Sequence, residues 1–160
     1  MKTYQACYKS PLGPIEIVGL ADCILSLDFV DKEFAGAADL PFWLKNCLKQ
    51  IDEYFKGKRR RFLLKLDPQG TPFQKLVWRQ LEKIPFGEVV SYGELAGIIG
   101  KPGASRAVGS ANGKNPIAII IPCHRVIGSD GRLTGYGGGL WRKEWLINHE
   151  KGYRSDKIIA

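Results

Sequence analysis

Two prolines and a glycine interrupt the middle of this chain within six residues. The segment Asp67-Pro68-Gln69-Gly70-Thr71-Pro72 cannot continue a helix or a central strand, because proline lacks an amide proton and has a fixed φ. Its last two residues are a typical helix start, with a capping threonine and a proline at the first helical position. The interruption therefore predicts residues 1–66 as one domain, 67–71 as a linker and 72–160 as a second domain.

The N-terminal half has the pattern of a small sheet followed by a helix. Strand-like runs at 3–9 and 15–18 flank a proline–glycine turn, and 24–30 is a third candidate strand. From 41 to 55, apolar residues recur at steps of three and four, which predicts an amphipathic helix that ends near Gly57. A further short strand is predicted at 62–66.

Four consecutive cations, Lys58-Arg59-Arg60-Arg61, follow the predicted helix. They could bind phosphate, but a solvated cluster at the helix end is the favoured interpretation, because cations there suit the helix dipole. The whole 160-residue chain has a net charge of +8, and both halves are basic. This excess suggests a polyanionic partner without identifying one.

Several classes of protein are disfavoured. No window approaches the ~18 consecutive apolar residues of a membrane span, so no membrane association is expected. The first residues are mixed and polar, without a secretory pattern, and the four cysteines have no paired spacing. We therefore expect reduced thiols and a cytoplasmic location, or a nuclear one if the host has a nucleus. No metal site is expected, since the only histidines are His124 and His149.

The second half contains a candidate helix-turn-helix. Short helices are predicted at Ser91–Ile99 and Ala104–Asn112, with the tight turn Gly100–Gly103 between them. Small side chains dominate the second helix, so its backbone could approach a DNA groove closely. A plain helical hairpin that packs through small residues explains the same pattern.

A cysteine follows the most apolar run of the chain. Ile117–Ile121 is predicted to be a buried strand, and it leads directly into Pro122-Cys123-His124-Arg125. A thiolate is the reactive form of cysteine, and a neighbouring base or positive charge favours it. The alternative is an inert buried cysteine, which is a common fate of this residue in a core.

These residues resemble a known family. Ile121–Val126 is similar to the active-site signature of the O6-alkylguanine-DNA alkyltransferases, also called methylated-DNA–protein-cysteine methyltransferases. Other motifs that resemble this family occur in its order across residues 72–152, with a weaker match at Ser10–Gly13. They are Pro85–Tyr92, Arg106–Gly109, Asn115-Pro116, Tyr136–Leu140 and Lys143–Glu150. The resemblance implies an α+β fold: a small N-terminal antiparallel sheet with a helix, arranged as in ribonuclease H, and then a mainly helical winged helix-turn-helix domain.

The resemblance also implies roles for catalytic residues. Cys123 would take the alkyl group of O6-alkylguanine irreversibly, once per molecule, without a metal or another cofactor. His124 would act through a water as the base for Cys123, and Glu150 would orient His124. Asn115 would hold the surroundings of the nucleophile, and Tyr92 would give a proton to the departing guanine.

Binding residues follow from the same resemblance. The damaged base would rotate out of duplex DNA, because its O6 substituent cannot be reached within the stack. The second helix would lie in the minor groove, and the chain would act as a monomer. Arg106 would fill the space of the extruded nucleotide. The other expected contacts are Val126, Tyr136 and Gly137 with the base, and Ser105, Ala107 and Gly109 with the DNA. Whether O4-alkylthymine is a substrate stays open.

Three other functions are compatible with parts of the pattern. An alkyltransferase-like binding protein would lack the acceptor cysteine, which is present here. A helix-turn-helix regulator would leave His124, Glu150 and Asn115 without a purpose. A cysteine–histidine hydrolase usually has its histidine far from its cysteine in sequence, whereas Cys123 and His124 are adjacent.

Overall fold

The chain forms two compact units, Met1–Gln69 and Gly70–Ala160. A computed structural model describes residues 2–159, with side chains described for residues 2–152. The division between the units falls inside the proline–glycine segment that the sequence predicts as a linker. None of the described helices has both the length and the apolar character needed to cross a membrane.

The N-terminal unit contains a three-stranded antiparallel sheet in the order β1-β2-β3. The strands are β1 (Thr3–Ser10), β2 (Gly13–Leu20) and β3 (Cys23–Phe29). Ser10 closes the first hairpin, because its Oγ donates to the Gly13 carbonyl and accepts from the Leu12 amide. In β2 the alternate residues Ile15 and Ile17 are buried, as the period of a strand with one covered face requires. Ala6 of β1 is also buried. So are Ile24 and Leu27 of β3, which lie three residues apart on either side of the register shift between β2 and β3.

Helix α1 (Phe42–Phe55) contacts β1 and completes this unit. Its buried stripe follows the predicted helical period and includes Leu44, Cys47, Ile51 and Tyr54. The prediction of a strand at 62–66 is wrong. Within this segment only Leu66 forms an isolated β-bridge, to Ile24. The backbone N–H and C=O of Leu63 are instead hydrogen-bonded by the side chain of the buried Gln50 of α1, so they are not available for pairing with a strand.

The C-terminal unit begins with three helices, and each starts within one residue of the position predicted from the sequence. They are α2 (Pro72–Leu81), α3 (Tyr92–Ile98) and α4 (Ser105–Gly113). Thr71 and Ser91 cap α2 and α3 in reciprocal capping boxes with Gln74 and Glu94. Helix α4 contacts both α2 and α3, so the two short helices form the predicted helical hairpin against α2.

The rest of this unit is a short helical turn, two short strands and a long helix. Cys123–Arg125 form one turn of 3-10 helix, which we call the Cys123 turn. It leads into β5 (Val126–Ile127), which pairs in parallel with β4 (Val90–Ser91). Helix α5 (Leu140–Ile159) contacts the Cys123 turn.

The predicted strand at Ile117–Ile121 is wrong. The segment is a compact turn, in which the Ile121 amide donates to the Ile117 carbonyl at 3.0 Å, and Ile119 has a φ of 71°. All five residues are buried. Their apolar character therefore reflects burial of a turn, and the pattern alone cannot distinguish this from burial of a strand.

Candidate active site

Cys123 begins the Cys123 turn and is 6% exposed. Three residues later the chain enters β5, whose Val126 pairs with Val90 of β4. Since α3 starts immediately after β4, this pairing holds the cysteine segment beside the first helix of the helical hairpin. Local backbone hydrogen bonds and one strand pair therefore determine where the sulfur lies.

Asn115 braces the turn that precedes the cysteine. Its Nδ2 donates to the Ile121 carbonyl at 2.7 Å, and its Oδ1 accepts from the Ile117 amide at 3.0 Å. A side-chain amide thus supplies hydrogen bonds that a neighbouring strand would otherwise supply. Asn115 therefore binds the backbone at both ends of the turn that precedes Cys123.

His124 and Glu150 form a buried pair. His124 Nε2 lies 2.7 Å from Glu150 Oε2, and the two side chains are 0% and 1% exposed. Burial lowers the pKa of His124, despite the opposing effect of the Glu150 charge. A neutral ring beside a carboxylate carries its proton on Nε2, so Nδ1 is left as the acceptor. Among the described residues, Nδ1 has no hydrogen-bond partner.

Arg125 makes Glu150 a stable anion. Its Nε and Nη2 donate to the two oxygens of Glu150 at 2.8 and 3.1 Å, and its Nη1 donates to the Ile84 carbonyl at 2.7 Å. The Gly87 amide gives Glu150 a further hydrogen bond. Burial raises the pKa of Glu150, but the charges and hydrogen bonds of His124 and Arg125 outweigh burial and hold that pKa well below its usual range.

Lys143 of α5 is a buried cation close to the cysteine. Burial lowers its pKa to about 8, while attraction to Cys123 acts in the opposite direction. Its Nζ donates to the Thr134 carbonyl at 2.7 Å and to the Tyr92 hydroxyl at 3.4 Å. The Tyr92 hydroxyl itself donates to the Thr134 carbonyl at 3.1 Å. The predicted site residue Tyr92 thus belongs to the same cluster as this lysine.

Asn112 connects α4 to the nucleophile. It is 2% exposed, and its Nδ2 donates to the Cys123 carbonyl at 3.3 Å. One residue earlier, the Ala111 carbonyl accepts from Trp78 Nε1 at 2.8 Å. Helix α4 is therefore bound to both α2 and the Cys123 turn.

The outer face of α4 carries small side chains and one long cation. Arg106 and Ala107 are exposed, and so are Ser110 and Gly113 further along the same helix. Gly109 faces α3, since a Cβ there would lie 3.7 Å from the Tyr92 ring. The predicted DNA contacts Ser105, Arg106, Ala107 and Gly109 thus divide: the first and last are half-buried and the middle two are exposed.

The three predicted base contacts lie in different settings. Val126 is fully buried in β5. Tyr136 is half-buried in the loop before α5, and its carbonyl accepts from the Gly139 amide. Gly137 is exposed, and a Cβ there would meet no atom within 4 Å. Its backbone is therefore accessible to a ligand.

Sequence reasoning missed the roles of Lys143 and Arg125. Arg125 was expected to supply positive charge to the cysteine, but it binds Glu150. Lys143 had a detectable signal, because it shares a helical face with Leu146, Ile147 and Glu150, and a lysine on an apolar face is unusual. No group of three metal-ligating side chains is found within the described residues.

Two family models cover most of the chain. The DNA-binding domain of 6-O-methylguanine DNA methyltransferase matches residues 72–152, and the ribonuclease-like domain of the same proteins matches residues 3–68. The chain belongs to the 6-O-methylguanine DNA methyltransferase family. The predicted α+β fold and the family resemblance are confirmed.

Individual relatives agree with this assignment. A methylated-DNA–protein-cysteine methyltransferase of Methanosarcina barkeri is 50% identical over 156 residues, which cover 92% of this chain and 97% of that protein. The crystal structure of Mycobacterium tuberculosis O6-methylguanine methyltransferase matches with a TM-score of 0.86 at 43% identity, over 95% of this chain and 94% of that one. A structure of the M. tuberculosis protein in complex with DNA matches with a TM-score of 0.83 at 44% identity, over 92% of both chains.

Proposed function

We propose that this chain repairs DNA by moving the alkyl group of O6-alkylguanine onto Cys123, once per molecule. The observation that carries the proposal is the buried network beside the cysteine, in which His124 Nε2 lies 2.7 Å from Glu150 Oε2. A neutral histidine held in one tautomer by a carboxylate is the arrangement that general-base activation of a thiol requires. Family membership supplies the substrate class.

The reaction balances without a cofactor. The thiol proton passes to Nδ1 of His124 through a water, and the sulfur attacks the alkyl carbon. The new S–C bond forms as the C–O6 bond breaks, and the guanine takes the electron pair and a proton. The Tyr92 hydroxyl, which lies 3.4 Å from the Lys143 Nζ, is the proposed proton donor. The Tyr92 phenolate then regains a proton through solvent as the His124 imidazolium gives up the one it took from the thiol. The thioether is not readily hydrolysed, so the protein would act once.

Electrostatics favour the reactive form of the sulfur. A Cys123 thiolate and the Lys143 ammonium stabilise each other, in a site from which water is largely excluded. Glu150 does not oppose this attraction strongly, because Arg125 neutralises it through two hydrogen bonds.

We further propose that α4 contacts the minor groove of duplex DNA, and that the chain binds as a monomer. Its exposed small residues permit close approach of the backbone, and the exposed Arg106 can enter the stack in place of the damaged nucleotide. Val126, Tyr136 and the Gly137 backbone would then read the extruded base. The four free cysteines suit a reducing compartment, which is the cytoplasm, or the nucleus in a eukaryotic host.

Intact-mass measurement tests the proposal. After incubation with a duplex carrying O6-methylguanine, the wild-type chain should gain one methyl group, and peptide mapping should find it on Cys123. Cys123→Ala should gain none. An unchanged mass in the folded wild-type protein would rule out the proposed reaction.

Arg106 offers a separate test of base extrusion. Arg106→Ala should slow reaction with alkylated duplex about tenfold or more, because no side chain then fills the space that the extruded nucleotide leaves in the base stack. Reaction with a free O6-alkylguanine base should stay near the wild-type rate. Lys101→Ala, an exposed cation in the α3–α4 turn, is the control. Equal slowing on both substrates would contradict the extrusion role.

A further inference from the structure

We propose that Lys58–Arg61, which we call the basic loop, binds the phosphate backbone of duplex DNA independently of sequence and of Cys123. The inference rests on the proposed function in one respect, namely that DNA is the polyanion this chain encounters. It adds a DNA-binding surface on the N-terminal unit.

The basic loop lines a shallow depression that is open to solvent. Its four cations and Leu63 border this space of about 500 Å³. Lys58, Arg60 and Arg61 are exposed, and Leu63 is 73% exposed. All four polar lining side chains are positive, so the depression favours anions.

Interactions with α1 organise the loop in advance. Arg59 Nε donates to Glu53 Oε1 at 3.0 Å, and Arg59 Nη1 donates to the Arg61 carbonyl at 2.9 Å. Beyond the loop, the buried Gln50 hydrogen-bonds both backbone groups of Leu63. A backbone held at both ends loses little conformational entropy when a ligand binds.

The helix dipole does not account for the cluster. Helix α1 ends at Phe55 with Lys56 as its C-cap, and no basic residue lies in its last turn. The basic loop starts only after Gly57, which turns the chain with a φ of 73°. Dipole stabilisation is largely confined to the last turn, so the loop extends beyond the region where it acts.

The local carboxylates are too few to balance the loop. Between residues 52 and 61 the chain has five cations and two carboxylates. Asp52 binds Lys56 at 2.8 Å, and Glu53 binds Arg59 at 3.0 Å. The segment retains a net charge of +3, and its arginines offer the planar donors that suit phosphate oxygens.

Duplex DNA fits this surface better than a membrane does. A membrane-surface site usually combines basic residues with a broad apolar face, whereas Leu63 is the single apolar side chain that the described residues contribute to this depression. The basic loop also shares a chain with the proposed DNA-binding helix α4.

Salt dependence of DNA binding tests the inference. The double variant Lys58→Gln/Arg61→Gln and the control Lys45→Gln/Lys49→Gln each remove two exposed cations of the N-terminal unit. Binding of the full chain to a short undamaged duplex is measured over a range of salt concentrations. The loop variant should lower the slope of log K against log salt by about 2, since each phosphate contact contributes about 0.9. The control should keep the wild-type slope.

Further arms identify the cause. Arg61→Lys keeps the charge and should keep the wild-type slope, while circular dichroism checks that each variant is folded. An unchanged slope in the folded loop variant, or an equal reduction in the control, would overturn the inference. So would loop-dependent binding to phosphatidylserine vesicles without loop-dependent binding to DNA. Methyl transfer by the wild-type chain is measured separately, so failure of the proposed function is distinguishable.

Discussion

Cys47 and Cys123 are both buried, one in each unit, yet their surroundings differ completely. Cys47 lies within α1, is 0% exposed, and burial raises its pKa to about 12. Cys123 begins an irregular turn, where it interacts electrostatically with Lys143 and is followed directly by His124. Exclusion of water is common to both sites, so it cannot be what makes a thiol reactive.

The difference lies in the backbone and in the neighbouring charges. In α1 the residues around Cys47 belong to an apolar stripe that packs a core. The Cys123 turn instead contacts α5, which carries Lys143 and Glu150 on its buried face. An irregular turn beside a helix with buried charges can present a sulfur to a base and a cation at once.

The largest expected contrast is in thiol modification. Iodoacetamide should modify Cys47 in the native chain at least about a thousandfold more slowly than Cys123, because a pKa near 12 leaves very little thiolate at neutral pH. Peptide mapping after timed reaction gives both rates. Similar rates at the two cysteines would show that their different surroundings do not determine their reactivity.

Removing the carboxylate should cost the C-terminal unit much of its stability. Glu150→Gln leaves the Arg125 charge buried without a counterion, and the free energy of unfolding should fall by about 3–5 kcal/mol. Urea unfolding measures this loss, with the exposed Glu144→Gln as a control expected to change stability by less than about 0.5 kcal/mol. Equal stability of the two variants would argue against a tight ion pair.

The ion pair between Arg125 and Glu150 also predicts how the free energy of unfolding depends on pH. Because the folded-state pKa of Glu150 is lowered, its stabilisation is complete above the unfolded pKa of about 4.3 and is lost as the pH falls below that value. The stability advantage of the wild type over Glu150→Gln should therefore shrink on acidification. An advantage that is constant down to low pH would contradict the assignment.

Loss of the buried lysine should slow transfer about tenfold. Lys143→Met removes the cation that favours the Cys123 thiolate, and the exposed Lys83→Met is the control. Since the pKa of Lys143 is about 8, the ratio of wild-type to variant rates should decline as the pH rises through 8 and the lysine loses its charge. Transfer from a free O6-alkylguanine base reports the rates. A ratio that does not depend on pH would exclude this electrostatic role.

The smallest effect should come from the other cysteine. Cys47→Ala should lower the free energy of unfolding by about 1 kcal/mol, because it removes one buried sulfur and leaves a small cavity. Methyl transfer should remain stoichiometric in the intact-mass assay. A loss of transfer in a folded Cys47→Ala variant would break the distinction between the two sites.

Local elements were largely predictable. The helix starts at Thr71 and Ser91 depend on capping side chains a few residues away, and the stripe of α1 depends on a regular period. Both signals depend on residues that are only a few positions apart in the sequence. Ile117–Ile121 was predicted wrongly because apolar content reports burial, whereas its turn is stabilised by the Asn115 side chain.

By itself, the sequence determined the interruption near residue 70, the helical hairpin, and a cysteine with histidine and arginine beside it. Only the tertiary structure decided which charges meet. Glu150 lies 26 residues after His124, and packing of α5 against the Cys123 turn brings it to 2.7 Å and turns Arg125 toward it. Lys143 reaches the cysteine by the same packing. These pairs form because the fold buries side chains that are far apart in sequence next to each other, and the low dielectric of the interior strengthens their attraction. No pattern of residue spacing along the chain predicts such a contact.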